Sequence, residues 1–173
     1  MANLSTKPQA SKATTTSSQD VLDEIKNHLR LREGVRTKVY KDSLGKLTVG
    51  VGHLVLPKDN LALGDEISQE RVYSFLEQDL QASLKAAEGQ MASIGVNYQT
   101  LFKALVHVNF QLGTAWNKTH KNTWKLLLDH KFAEASEEIK DSLWYSQTPV
   151  RVNDFSDALM KVHLLHVANR STL

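Results

Sequence analysis

Apolar residues first recur at helical spacing at Val21, Leu22, Ile25 and Leu29, with Asp20 placed as N-cap, and predict a helix that ends at residues 32–34. Residues 37–41 and 46–51 are β-prone runs separated by Asp42-Ser43-Leu44-Gly45, a composition suited to a tight turn, so a small hairpin follows the helix. Over residues 68–88 a longer stripe sets Val72, Phe75, Leu76, Leu80 and Leu84 on one helix face, with Ser68 as cap and Gly89 as stop. Asp79 interrupts that face and needs a partner there. Asn97 is expected to cap a segment over residues 98–112 that is apolar nearly all round, which marks a central buried helix stopped by Gly113. Shorter helical patterns follow at 123–130, 132–143 and, after a Pro149 break, 150–167. Trp116, Trp124 and Trp144 fall in or near these patterns and read as core filling.

Composition changes this picture at the N-terminus. Residues 1–20 are rich in Ser, Thr, Lys and Ala with almost nothing apolar, so they read as a flexible tail dispensable for folding, ahead of a body over residues 21–173. A chain of 173 residues can bury one core, or two small lobes sharing one. It lacks any apolar run of about 18 residues, so no membrane span is expected. The first residues also lack the apolar stretch of a secretory signal, which predicts synthesis in a cytoplasm. With no cysteine the fold depends on no disulfide in either redox compartment. A formal charge of +2 is too small to point to nucleic acid, though it is compatible with an anionic polymer such as a cell-wall glycan.

Glu33 closes the first helix, Asp42 opens the hairpin turn and Thr48 sits on the second strand, a spacing of Glu, eight residues, Asp, five residues, Thr. Glycoside hydrolysis needs two carboxyl groups flanking the scissile bond, one protonated and one ionised. On spacing alone, in a chain with 19 acidic residues, these would be ordinary surface carboxylates. His163 and His166 stand at i, i+3 on a helix, but no third ligand accompanies them, so they read as solvated or packing residues. Gly50 and Gly52 suit either a strand closely approached by a ligand or a β-bulge.

The surrounding letters change the weighting. L-R-E-G-V-R-T-K-V-Y-K-D-S-L-G-K-L-T-V-G-V-G-H-L, residues 31–54, closely resembles the phage lysozyme family of the T-even type. The resemblance continues in F-Q-L-G at 110–113 and W-Y-S-Q-T-P-V-R at 144–151, and it covers residues 21–155, fading from Ser156. It implies an α+β, mainly α, lysozyme-like fold: a small β-hairpin lobe at 21–67, a connecting helix at 68–88 and a helical lobe at 89–173, with substrate in the cleft between lobes. The implied activity is that of a muramidase cutting the β-1,4 bond between N-acetylmuramic acid and N-acetylglucosamine in peptidoglycan.

Carried over by position, the resemblance makes Glu33 the general acid and gives Asp42 and Thr48 the task of holding a water on the opposite sugar face, with inversion. It places Arg151 against Glu33, where a cation favours the ionised carboxylate, so desolvation beneath bound sugar must offset it. Leu54, Phe110 and Thr123 are implied sugar contacts, whereas Glu138 stands where the family has a neutral polar residue, which puts the local contact in doubt. His53 and Asp79 match a family ion pair, which is expected to hold the Asp79 carboxyl below its usual range. Neither cofactor nor metal is called for. The expected partner is the peptidoglycan glycan strand at the cell wall, met by a monomer, with a pore-forming (holin) helper or an immunity protein accompanying it. Rival readings are a lysozyme-fold structural or binding module, such as a virion tail part, and an injected antibacterial effector.

Overall fold

The computed structural model describes residues 17–42 and 45–172. Most of the tail expected at residues 1–20 therefore lies outside the described residues. Among those described, eight α-helices accompany one three-stranded antiparallel sheet, the mainly helical α+β architecture that the patterning predicts.

Helix α1, Ser18–Glu33, buries Val21, Ile25 and Leu29 along one stripe. It starts earlier than expected because the cap is Ser17 and not Asp20. Ser17 Oγ accepts from the Asp20 N–H while the Asp20 carboxylate accepts from the Ser17 N–H, a reciprocal box that extends the helix by a turn. Strand β1, Arg36–Lys41, pairs with β2, Leu47–Gly50, placing Tyr40 opposite Thr48. A third strand, β3, His53–Leu54, was not expected; it returns along β2 with Leu54 opposite Thr48. Gly50 and Gly52 take φ of 68° and 72° on either side of this reversal. The β1–β2 register shifts between Arg36 and Tyr40, opposite Gly50, as the expected bulge has it, and the left-handed backbone at both positions favours glycine.

Helix α2, Gln69–Ile94, is capped by Ser68 as expected but runs through Gly89 to stop at Gly95, which adopts the left-handed conformation at φ 77°. An interior glycine costs only about 1 kcal/mol relative to alanine. The buried stripe through Ala87, Gln90 and Ile94 outweighs it. The first half of α2 packs on the sheet, with Val72 against Gly50, and its second half packs on α3, Gln99–Leu112. No residue of α3 from Thr100 onward is exposed, in keeping with a central helix, although Tyr98 and not Asn97 stands at its N-cap and makes no side-chain cap bond.

The remaining helices are α4, Trp116–Thr119, α5, Lys121–Leu128, α6, Phe132–Glu138, α7, Leu143–Gln147, and α8, Pro149–Arg170. The short α4 was not expected, and Pro149 opens α8 instead of preceding it, since its missing N–H costs nothing in a first turn. Trp116 and Trp144 are buried, with Phe155 packed between their rings, and Trp124 packs edge-on against Trp116. His166 lies among Tyr98, His130 and Phe132, a packing position. Among the described residues, no helix is long and apolar enough to cross a membrane.

Candidate active site

Glu33 is the last residue of α1, and Gly34, at φ 73°, turns the chain from that helix into β1. One Glu33 oxygen lies 2.8 Å from an Arg151 guanidinium nitrogen of α8, with the two side chains 25% and 15% exposed in that order. Immediately before it, Arg32 forks onto Asp154, also of α8, at 2.7 and 2.8 Å. The expected Glu33–Arg151 pairing is thus present, and beside it stands a second pair that no sequence motif marked.

Asp42 follows β1. Its N–H donates to the Lys46 carbonyl at 2.9 Å, its carboxylate accepts from the Lys46 N–H at 2.9 Å, and its carbonyl accepts from Gly45 at 3.0 Å. These bonds close the expected turn, although Ser43 and Leu44 lie outside the described residues. Thr48 is 6% exposed, and its hydroxyl donates to the same Lys46 carbonyl at 3.3 Å. A single residue's peptide groups thereby orient both Asp42 and Thr48. Because Tyr40 faces Thr48 across the sheet and side chains alternate along a strand, Asp42, two past Tyr40, belongs to the Thr48 face. Leu54, opposite Thr48 on β3, is 46% exposed and extends that neighbourhood.

His53 is buried between two carboxylates. Its Nδ1 lies 2.8 Å from Asp79 and its Nε2 3.1 Å from Asp59, while its ring stacks on Phe75 at 3.9 Å. The Asp59 carboxylate also accepts from the Leu56 N–H at 2.7 Å, and its carbonyl accepts from Arg71 at 2.6 Å. Asp59 was missed because Pro57-Lys58-Asp59 has the composition of a surface turn. Asp79 corrects an expectation: burial pushes its carboxyl up, and the hydrogen bond and charge of His53 do not bring it back down. For Asp59 burial also pushes up, but the Leu56 N–H, His53 and Lys58 together outweigh it and hold the carboxyl low.

Two cavities share Trp144 of α7 in their walls. One, of about 650 Å³, is lined by Thr123, Glu138, Trp144 and Gln147 among others. Thr123 is only 2% exposed there, and Glu138 accepts from Asn122 at 3.0 Å. The other, of about 370 Å³, lies between α1, α3 and α8 and includes His28, His107, Gln111, Arg151 and Asp154. Phe110 is partly buried against the core. Among the described residues no group of three or more His, Asp or Glu side chains could hold a metal ion.

The phage lysozyme family profile matches residues 30–153, a span containing Glu33, Asp42, Thr48, His53, Asp79 and Arg151. A probable T4-type lysozyme of Dictyostelium discoideum is 30% identical over 155 residues, covering 77% of this chain and 91% of that protein. The peptidoglycan hydrolase gp36 of Pseudomonas phage phiKMV is 28% identical over 79% of this chain, but the match takes in 15% of gp36. The pre-baseplate central spike protein Gp5 of Enterobacteria phage T4 is 29% identical over 72% of this chain and 25% of Gp5.

Proposed function

The chain belongs to the phage lysozyme family, and from that premise we propose that this glycoside hydrolase is a muramidase that cuts the β-1,4 bond between N-acetylmuramic acid and N-acetylglucosamine with inversion. The observation that carries the residue assignment is the placement of Glu33 on Arg151 at the end of α1, directly before the hairpin on which the Lys46 peptide groups orient Asp42 and Thr48.

In this reading Glu33 protonates the glycosidic oxygen as the bond breaks. Asp42 accepts a proton from a water held also by the Thr48 hydroxyl, and that water attacks the anomeric carbon from the opposite face. The guanidinium of Arg151 fixes the orientation of Glu33 but favours its ionised form; bound sugar, by excluding water from Glu33, favours the neutral acid that catalysis needs. Leu54 offers a contact on the sheet side, whereas Thr123 is too buried to offer more than an edge of the helical-side cavity, into which Glu138 brings a negative charge. The cleft then separates the sheet from the helices beyond α2, and α1, assigned on the sequence to a small lobe over residues 21–67, packs instead on α3 and pairs with α8.

A turbidity assay on purified peptidoglycan with mass analysis of the fragments tests this. Products ending in reducing muramic acid are expected, whereas anhydromuramic ends would mark a lytic transglycosylase. Two of the relatives, gp36 and Gp5, carry their match inside much longer proteins, one of them named as a baseplate spike, and this favours, as a second reading, deployment of the same domain within a virion.

A further inference from the structure

We propose that Asp154 is a positioning residue for the general acid, holding the last turn of α1, and Glu33 with it, in register on α8. The proposal rests on the reading of Glu33 as that acid. The apolar grip on α1 comes from Val21, Ile25 and Leu29 and stops a turn short of Glu33, and Leu31 is 77% exposed. Polar contacts hold the rest of the turn. Arg30 lies over the Tyr73 ring at 4.8 Å, Arg32 forks onto Asp154 at 2.7 and 2.8 Å, and Glu33 meets Arg151 at 2.8 Å.

The last two contacts form a ladder of alternating charge. Consecutive residues of α1, positive then negative, face a negative and a positive residue one turn apart on α8. A forked guanidinium–carboxylate pair fixes orientation as well as distance, which a single ammonium contact does not. The Asp154 oxygen that accepts from Arg32 Nε also lies 3.3 Å from His28 Nε2, and the His28 ring lies 4.4 Å from that of His107 on α3. Burial first, and then the nearby His28, push His107 down to about 3, so it stays neutral and contributes no charge. The charged and titratable groups around Asp154 are therefore Arg32 and His28 from α1 and Arg151 on its own helix, with Glu24 of α1, Lys103 of α3 and Asp157 and Lys161 of α8 lining the same cavity.

Removing the Asp154 charge has two consequences. The end of α1 loses its two-point tie to α8, and two guanidiniums, Arg32 and Arg151, are left to share the single carboxylate of Glu33. A second cation favours the ionised acid, so Glu33 holds its transferable proton less well.

Steady-state kinetics on peptidoglycan across pH test this, with Asp154→Asn, Asp154→Glu and Glu33→Gln beside a control, Lys26→Met, that cuts the ion pair tying α1 to α2. Asp154→Asn should lower kcat on the order of 10- to 100-fold at unchanged KM. Its alkaline limb, which reports loss of the acid's proton, should move to lower pH. Asp154→Glu should recover most of the loss, and Lys26→Met should match the wild type. If Asp154→Asn does not fold, Arg32→Lys serves: it keeps the cation but not the fork, so kcat should drop with the alkaline limb in place. A normal kcat and pH profile in Asp154→Asn, or in Arg32→Lys where that is the variant measured, or an equal loss in Lys26→Met, overturns the positioning role while an inactive Glu33→Gln leaves the lysozyme reading standing. Turnover in Glu33→Gln would sink both.

Discussion

His53 Nδ1 lies 2.8 Å from an Asp79 carboxylate oxygen, so a buried imidazole ties the last strand of the sheet to α2. The two carboxyls that clamp this ring respond oppositely to pH. Asp79 is raised, chiefly by burial, so its contribution to stability is full below the unfolded value of about 3.9 and is lost as pH rises through the folded one. Asp59 is net lowered, so its contribution is present above about 3.9 and lost as pH falls through its folded value. In urea melts from acid to neutral pH, Asp59→Asn should flatten the acid decline in stability, and Asp79→Asn should steepen it. Flattening by both variants would show Asp79 to be stabilised as an anion after all.

Farther along α2, Gln90 and Asn109 exchange buried amide hydrogen bonds of 3.1 and 2.8 Å, and Asn109 also donates to the Leu105 carbonyl at 2.8 Å. Gln90→Leu takes from the Asn109 side-chain oxygen its donor in the core, leaving the bond to the Leu105 carbonyl, and should cost about 1–3 kcal/mol. Replacing both residues with leucine should cost less than the sum of the single changes. A double-mutant cycle by urea unfolding measures this coupling, and strict additivity would mean that the pair contributes no specific interaction.

At the start of α1, Ser17→Ala removes the hydroxyl half of the capping box. It should cost about 1 kcal/mol, read as a fall in Tm of about 2–4 °C. An unchanged Tm would show that the first turn frays in solution and that the helix begins in effect near Val21.

The periodic apolar stripes made most of the helices legible, because burial of Val21, Ile25 and Leu29, or of Val72, Leu76 and Leu80, leaves a regular mark on the sequence. Polar solutions leave none. Gly89 reads as a stop because glycine commonly ends a helix, and nothing local reveals that Gln90 beyond it is buried and satisfied by Asn109 across the core. The start of α1 differs for a similar reason, since Ser17 and Asp20 both have cap chemistry and the backbone selects between them, while Tyr98 stands at the N-cap of α3 with no side-chain cap bond at all. In the candidate site, Glu33, Asp42 and Thr48 were found through a family resemblance, not through spacing. Arg32 and Asp154 escaped because an ion pair between residues this distant in sequence is invisible without the fold.

Thr48→Val tests whether the Thr48 hydroxyl serves catalysis or only the hairpin. Its bond to the Lys46 carbonyl is long, 3.3 Å, so its loss should cost little stability, under about 1.5 kcal/mol. Turnover should nevertheless fall on the order of 10-fold or more, because the attacking water loses one of its two holders. Comparing thermal melts with kcat separates the two roles: a large loss of stability with kcat preserved in the folded fraction would assign Thr48 to the fold alone.

Glu33 and Asp42 are expected to work as an inverting pair on either side of a glycosidic bond. In that arrangement the two carboxyl groups stand roughly 6.5 to 9.5 Å apart with a water between Asp42 and the sugar, whereas a covalent nucleophile would need about 5 to 5.5 Å. Following the first-formed product by NMR on a soluble peptidoglycan fragment is the most direct measurement. The β-linked substrate should release α-anomer before mutarotation, with Glu33→Gln releasing almost none. Release of β-anomer first would contradict the water-positioning role of Asp42.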